Sequence, residues 1–216
     1  VGRPAVFLDR DGVLIREGGY LAREEDLVLL PGAGEACGRL KGQGYLLVVV
    51  TNQSGVARGF FDEDFVRATH VDLSRRLGEG APDGWFYCPH HPVEGVPPYR
   101  RECDCRKPRP GMVFAARDRW GIDLSRSWMI GDGVPDLGLA VRAGLKSILV
   151  RTGKGAETEV GLRRGEIPAE LAPLAVVPDL PSAAERLARI SDGLPSLGDS
   201  DRKRKAGAFF ASGGHP

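Results

Sequence analysis

The sequence predicts an α/β fold in which helices cover a parallel sheet. Short apolar runs rich in β-branched residues alternate with amphipathic stretches, the pattern that strand–helix–strand units require. The run Val48-Val49-Val50 is apolar without alternation, as a strand buried on both faces must be. Acids, hydroxyls and glycines gather at the carboxyl ends of the apolar runs, where open α/β sheets bind their ligands.

The elements follow in order. Ala5–Asp9 reads as the first strand, and Ile15–Leu30 is too long for a plain connection to the next element. A helix over about Gly34–Gly42 leads to a strand at Tyr45–Thr51. Asp62 starts a helix that runs to Leu77, followed by a strand at Gly84–Cys88. The segment Pro89–Pro110 has no hydrophobic period, and Pro110 introduces a helix over Gly111–Trp120. Strands at Ser127–Gly131 and Lys146–Arg151 flank a helix at Pro135–Ala143. Ala175–Val177 and Pro181–Ile190 form a last strand and helix. From about Ser191 the composition turns to Gly, Ser and Asp with a basic cluster at Arg202-Lys203-Arg204-Lys205, which predicts a disordered tail. The expected organisation is one domain over residues 1–190 and a tail over 191–216.

The chain of 216 residues carries 30 basic and 29 acidic residues, a formal charge of +1. So balanced a surface does not advertise nucleic acid or an anionic membrane, and four tail cations are weak grounds for either. No apolar stretch approaches the ~20 residues that span a bilayer, and Val1–Pro4 lacks the features of a signal peptide. A cytoplasmic monomer is the expectation. The four cysteines, Cys37, Cys88, Cys103 and Cys105, then favour metal binding over disulfides.

The first strand ends in Asp9-Arg10-Asp11-Gly12-Val13. Side-chain alternation puts Asp9 and Asp11 on one face, with Arg10 turned away. Two acids at a strand end repel unless a cation or shared proton relieves them. A divalent metal and a phosphate meet that need, with one carboxylate attacking phosphorus while the other moves the proton. The second strand ends in Thr51-Asn52-Gln53-Ser54-Gly55, whose backbone N–H groups can converge on an anion. In Arg106-Lys107-Pro108 a stiffened Lys107 offers a compact charge to phosphate, and Arg106 suits a substrate oxygen or second phosphate. Asp132, after the strand at Ser127–Gly131, completes an oxygen shell for Mg²⁺. Asp136 either holds a metal-bound water or caps the next helix.

Cys88, His90, Cys103 and Cys105 are spaced C-x-H…C-x-C, which suits a closed tetrahedral zinc site. His90 is preferred to His91 because alternation places it on the side of Cys88. The loop cannot bury apolar surface, so zinc would order it, with no open position for catalytic water. Free thiols in a flexible loop are the competing reading. Cys37 is expected to be a small buried apolar residue, and His70, in a charged helix, to have no functional part.

This order of strand ends resembles the haloacid dehalogenase-like (HAD) phosphatases over about residues 5–152, and most closely the D-glycero-D-manno-heptose 1,7-bisphosphate 7-phosphatases. The residues that carry the resemblance are Asp9–Gly12, Thr51–Gly59, Cys88–Pro92, Cys103–Pro108 and Pro110–Met112. The resemblance implies a doubly wound Rossmann-like sheet, a squiggle-and-flap element after the first strand, and a zinc loop over 88–105 in place of a large cap. Asp9 would be the nucleophile and form an aspartyl-phosphate. Asp11 would protonate the leaving sugar oxygen and then activate water. Asp9, the backbone carbonyl of Asp11, and Asp132 would hold Mg²⁺, while Thr51 and Lys107 steadied the phosphoryl oxygens. Glu17, Gly18, Gly19 and Tyr20, with Thr51, Asn52, Gln53, Ser54, Arg106 and Lys107, would contact a small phosphorylated sugar. The product would be heptose 1-phosphate, for activated-heptose and surface polysaccharide synthesis. Histidinol-phosphate phosphatase, which shares the zinc loop, or a related small-sugar phosphatase is the alternative. Three positions depart from the family pattern: Val13 and Ile15 stand where Thr and Asn are common, and Gly133 stands where Lys is common. Val13 is harmless; Ile15 and Gly133 are expected to alter pocket polarity, and a binding protein with an impaired site would share those two departures.

Overall fold

The computed structural model describes residues 2–18 and 27–191. Its strands are β1 (Ala5–Leu8), β2 (Leu46–Asn52), β3 (Gly84–Cys88), β4 (Trp128–Gly131), β5 (Lys146–Val150) and β6 (Ala175–Val177). They form one sheet in the order β3-β2-β1-β4-β5-β6, and every neighbouring pair is parallel. The chain begins at the centre and winds outward in both directions, so the order reverses between β1 and β4. That is the doubly wound sheet expected.

The helices are α1 (Ala33–Gly42), α2 (Glu63–Leu77), α3 (Gly111–Trp120), α4 (Val134–Ala143), α5 (Gly155–Arg164) and α6 (Leu180–Ser191). Alternation along β1 divides the core into two layers. Val6 and Leu8 pack with Leu40 of α1, Leu73 of α2 and Leu187 of α6. Ala5 and Phe7 pack on the opposite face with Val113 of α3 and Leu139 of α4. A strand covered on both sides has no polar face to show, which is why β1 and the Val48–Val50 run are apolar throughout. Each such side chain contributes about 1.5–3 kcal/mol on burial.

Local chemistry sets the element ends. Asp62 lies just outside α2 and accepts a hydrogen bond from the Phe65 N–H at 2.8 Å. Register aligns Leu8 with Val49 and Ile130, so Asp9, Thr51 and Asp132 emerge at the same edge. After β1 the chain makes a tight turn in which the Leu14 and Ile15 N–H groups donate to the Arg10 carbonyl, at 2.9 and 3.1 Å. A short antiparallel bridge then joins Ile15 and Leu29. Residues 19–26, and the expected tail over 192–216, lie outside the described residues.

One element is new and one expectation changes. Helix α5 has no counterpart in the sequence reading; it packs through Gly155, Thr158 and Gly161. His70 is only 5% exposed and stacks on Trp85 with ring centroids 4.4 Å apart, so it is a packing residue. Ile15 is buried in the core at 1% exposure and does not line the cavity at the strand ends. Among the described residues, no helix is long and apolar enough to cross a membrane.

Candidate active site

The carboxyl ends of β1, β2 and β4 open into a cavity of about 350 Å³. Its lining includes Asp9, Asp11, Glu17, Thr51 to Ser54, Arg106, Lys107, Asp132, Gly133, Asp136 and Lys154. The β2–β3 register pairs Asn52 with Cys88, which places the cysteine loop beside this cavity.

Asp9 lies just past β1, with its backbone N–H tied to the Ile130 carbonyl at 3.1 Å. Its Oδ1 accepts from the Lys107 ammonium at 2.8 Å and from the Arg10 N–H at 2.7 Å. Lys107 is 4% exposed and donates equally, at 2.8 Å, to Asp136. Burial pushes the Asp9 carboxyl up to about 8; Lys107 opposes this, while Asp136, Asp11 and Asp132 add to it. Burial disfavours the charged form of Lys107 too, but Asp136 and Asp9 outweigh it and hold the ammonium above the usual lysine range. A buried carboxylate so poised is suited to a task that brings in positive charge.

Asp132 is likewise pushed up by burial, to about 6, against the stabilising hydrogen bond from the Lys154 N–H. That bond, 2.8 Å long, ends on Oδ2. Two glycines make the close approach possible. A Cβ on Gly12 (φ +78°) or Gly153 (φ +58°) would stand about 2 Å from the same oxygen. Their positive φ angles are in any case those glycine adopts without strain. Carboxylate oxygens of Asp9, Asp132 and Asp136 lie within 4.8 Å of one another, an oxygen donor set that fits a hard divalent cation. Asp136 serves as a cap as well, accepting from the Gly133 N–H at 3.1 Å.

Asp11 belongs to a different group of contacts. Its Oδ1 accepts from Arg10 Nη2 at 3.0 Å, and its Oδ2 from Gln53 Nε2 at 2.9 Å. Arg10 is 3% exposed and is not turned away, as strand alternation had suggested. The strand stops at Leu8, so the period-two rule no longer applies and the guanidinium folds back onto its neighbour. Thr51 Oγ1 lies 3.5 Å from Asp11 Oδ2 and accepts from Gln53 at 2.8 Å. Asn52 grips the Lys107 backbone at both ends: Nδ2 donates to its carbonyl at 3.2 Å, and Oδ1 accepts from its N–H at 3.0 Å. Arg106 is anchored by Nη1 to the His90 carbonyl at 3.0 Å.

Of the other expected contact residues, Glu17 and Ser54 line the cavity and Gly18 does not; Gly19 and Tyr20 lie outside the described residues. Sequence reading missed Lys154 and Phe61, which also line it. The Gly153-Lys154-Gly155 run following β5 was a usable signal for Lys154, because glycines flanking a cation at a strand end mark a closely packed loop. Lys154 stands on the same cavity wall as Gly133, and its Nζ lies 3.9 Å from Glu17.

Beside this cavity, Cys88, His90, Cys103 and Cys105 bring their ligand atoms within 4.8 Å of one another. The Cys88–Cys103 and Cys103–Cys105 sulfur separations are 3.5 and 3.3 Å, and His90 Nδ1 is 3.3 Å from Cys105. These separations are far longer than an S–S bond, and the convergent donor set is compatible with zinc. His91 is used otherwise: its Nδ1 accepts from the Val93 and Glu94 N–H groups at 3.3 and 2.8 Å. Cys37 is fully buried, and burial pushes its thiol up to about 12.

Comparison with known proteins gives consistent findings. A family model described as HAD-hydrolase-like matches residues 104–183. A D-glycero-beta-D-manno-heptose-1,7-bisphosphate 7-phosphatase from Vibrio cholerae is 48% identical over 157 residues, 71% of this chain and 84% of that protein. The protein of that name from Escherichia coli K12 is 46% identical over 154 residues, 70% and 81% of the two chains. A crystal structure of a D,D-heptose 1,7-bisphosphate phosphatase from B. bronchiseptica, complexed with magnesium and phosphate, superposes with a TM-score of 0.74 at 35% identity, covering 87% of this chain and 99% of that one.

Proposed function

The chain belongs to the D-glycero-D-manno-heptose 1,7-bisphosphate 7-phosphatase family of HAD-like hydrolases, and from that premise we propose that it removes the 7-phosphate of the heptose bisphosphate and leaves the 1-phosphate in place. The observation that carries the reading is the partly buried Asp9 carboxylate on the cavity wall, close to Asp132 and held by Lys107.

Asp9 and Asp132, with the backbone carbonyl of Asp11, would hold Mg²⁺. When bound, the ion offsets the repulsion between two acids and an incoming phosphate and so lets Asp9 act as an anion. Asp9 attacks phosphorus and the bond to the sugar oxygen breaks, with Asp11 delivering its proton to that oxygen. Asp11, now a carboxylate, takes a proton from water as the water oxygen bonds to phosphorus and the Asp9–phosphorus bond breaks. Thr51 and Lys107 steady the phosphoryl oxygens during both transfers. Asn52 contributes by fixing the Lys107 backbone. Arg106 and Lys154 are the cations left to meet the second phosphate, and Lys154 supplies from another loop the charge that Gly133 lacks. Cys88, His90, Cys103 and Cys105 hold a structural zinc. The reading takes the enzyme as a cytoplasmic monomer, with neither nucleic acid nor membrane as partner; the near-neutral charge supports the last two points alone.

Phosphate release from both anomers of the heptose bisphosphate and from histidinol phosphate, measured side by side with Mg²⁺, tests the assignment. Faster turnover of histidinol phosphate would overturn it in favour of the alternative.

A further inference from the structure

Gln53 was expected to read the substrate, but its side chain has no spare donor with which to do so. The residue is 4% exposed. Of the two N–H donors a primary amide offers, one goes to Asp11 Oδ2 at 2.9 Å and the other to Thr51 Oγ1 at 2.8 Å. Its Oε1 accepts from Arg10 Nη2 at 2.9 Å. Rotating the amide by half a turn would set its oxygen against the Asp11 carboxylate and its NH₂ against a guanidinium, so the neighbouring charges dictate the orientation.

Arg10 closes the arrangement. It is 3% exposed, and its fork holds Asp11 Oδ1 through Nη2 at 3.0 Å and Nε at 3.3 Å. Both oxygens of Asp11 are therefore gripped, each by a buried group that is itself held by the other. Lys107 stands outside this set of contacts, and Asp9 meets it only through the Arg10 backbone N–H.

We infer that Arg10 and Gln53 are positioning residues that form a clamp aiming the Asp11 carboxyl for both proton transfers, and that neither contacts the sugar. The inference rests on the phosphatase reading and deepens it. A carboxyl that must first protonate a leaving alkoxide and then deprotonate water has to keep one position while its charge changes. Misplacement by an ångström costs such a group orders of magnitude in rate. The clamp spans β1 and β2, so its geometry is inherited from the sheet.

Gln53→Met and the near-isosteric Gln53→Glu test this, with folding checked by circular dichroism. Gln53→Glu keeps an acceptor for Arg10 but sets a carboxylate against Asp11, so it tests the clamp even if the methionine variant does not fold. Nitrophenolate leaves without being protonated, so p-nitrophenyl phosphate separates the roles. With wild type and variants at saturating Mg²⁺, the variants should lose about 10- to 100-fold in kcat on the heptose bisphosphate with KM changed less than about threefold. Their first-turnover burst of nitrophenolate should stay within about threefold of wild type, while subsequent turnover, which needs Asp11 as base, slows about as much as kcat. A KM raised tenfold at unchanged kcat would overturn the clamp and make Gln53 a substrate contact. Burst and turnover falling together would overturn it too, by placing the damage at the phosphoryl-binding groups, Asp9 or the Thr51 that Gln53 also holds, rather than at Asp11. A wild type active on the aryl ester and inert on the heptose bisphosphate would remove the substrate assignment alone, and the burst-to-turnover comparison would still decide the clamp.

Discussion

Replacing Lys107 by methionine should destabilise the protein more than any exposed charge change, because the ammonium is 2% exposed and bridges Asp9 and Asp136 at 2.8 Å each. Methionine fills most of the volume, so the loss is electrostatic. Two buried acids lose their common cation, and removing one member of a buried pair costs about 3–5 kcal/mol. Asp9 already stands near 8 with Lys107 in place. Without it, burial and the neighbouring acids push the carboxyl up unopposed by Lys107, and bound Mg²⁺ has to offset them alone. Urea unfolding at pH 7.5 in the presence of a chelator should show that cost, and phosphate release with Mg²⁺ should fall by at least about 100-fold. Adding Asp136→Asn removes one of the stranded charges and should restore about 1–2 kcal/mol of stability while restoring no activity. A Lys107→Met variant within about 0.5 kcal/mol of wild type, or a double variant no more stable than the single, would refute this account of the site.

Three further outcomes follow from the same geometry. Cys103→Ser removes one of four convergent ligands, so bound zinc measured by mass spectrometry should fall from about one per chain to near zero, with a lower melting temperature; zinc retained at full stoichiometry would contradict the cluster. Lys154→Met should raise KM for the heptose bisphosphate about 5- to 10-fold at similar kcat while leaving a hexose 6-monophosphate unaffected; equal effects on both substrates would remove Lys154 from the second phosphate. His70 is pushed down to about 3 by burial and then by Arg10, so between about pH 6.5 and 3 the unfolded chain binds a proton that the folded one does not. Its contribution is whole above pH 6.5 and is lost by up to about 1.4 kcal/mol per unit as pH falls through that window. The stability gap between wild type and His70→Gln should therefore shrink on acidification, and a gap constant from pH 7.5 to 4.5 would count against the buried neutral imidazole.

The sheet was legible because strands buried on both faces must be continuously apolar, and Val48–Val50 could be little else. The zinc-type cluster was legible because four ligands of one chemistry lay at short spacing around a segment unable to order itself. Helix α5 was not, since it packs through the small residues Gly155, Thr158 and Gly161 rather than through large apolar side chains. The burial of His70 was not legible either, because the aromatic surface that covers it, Trp85, arrives from β3.

The sequence by itself determined which residue types stand at each strand end, because an apolar run followed by Asp9, Thr51 or Asp132 is a local pattern set by short-range chemistry. Only the tertiary structure decided how those groups divide: Asp9 with Lys107 and Asp136, Asp11 with Arg10, Gln53 and Thr51, Asn52 on the Lys107 backbone. A carboxylate takes whichever buried donors the folded chain brings within 3 Å, and that pairing depends on parallel register and loop closure between segments far apart in the chain.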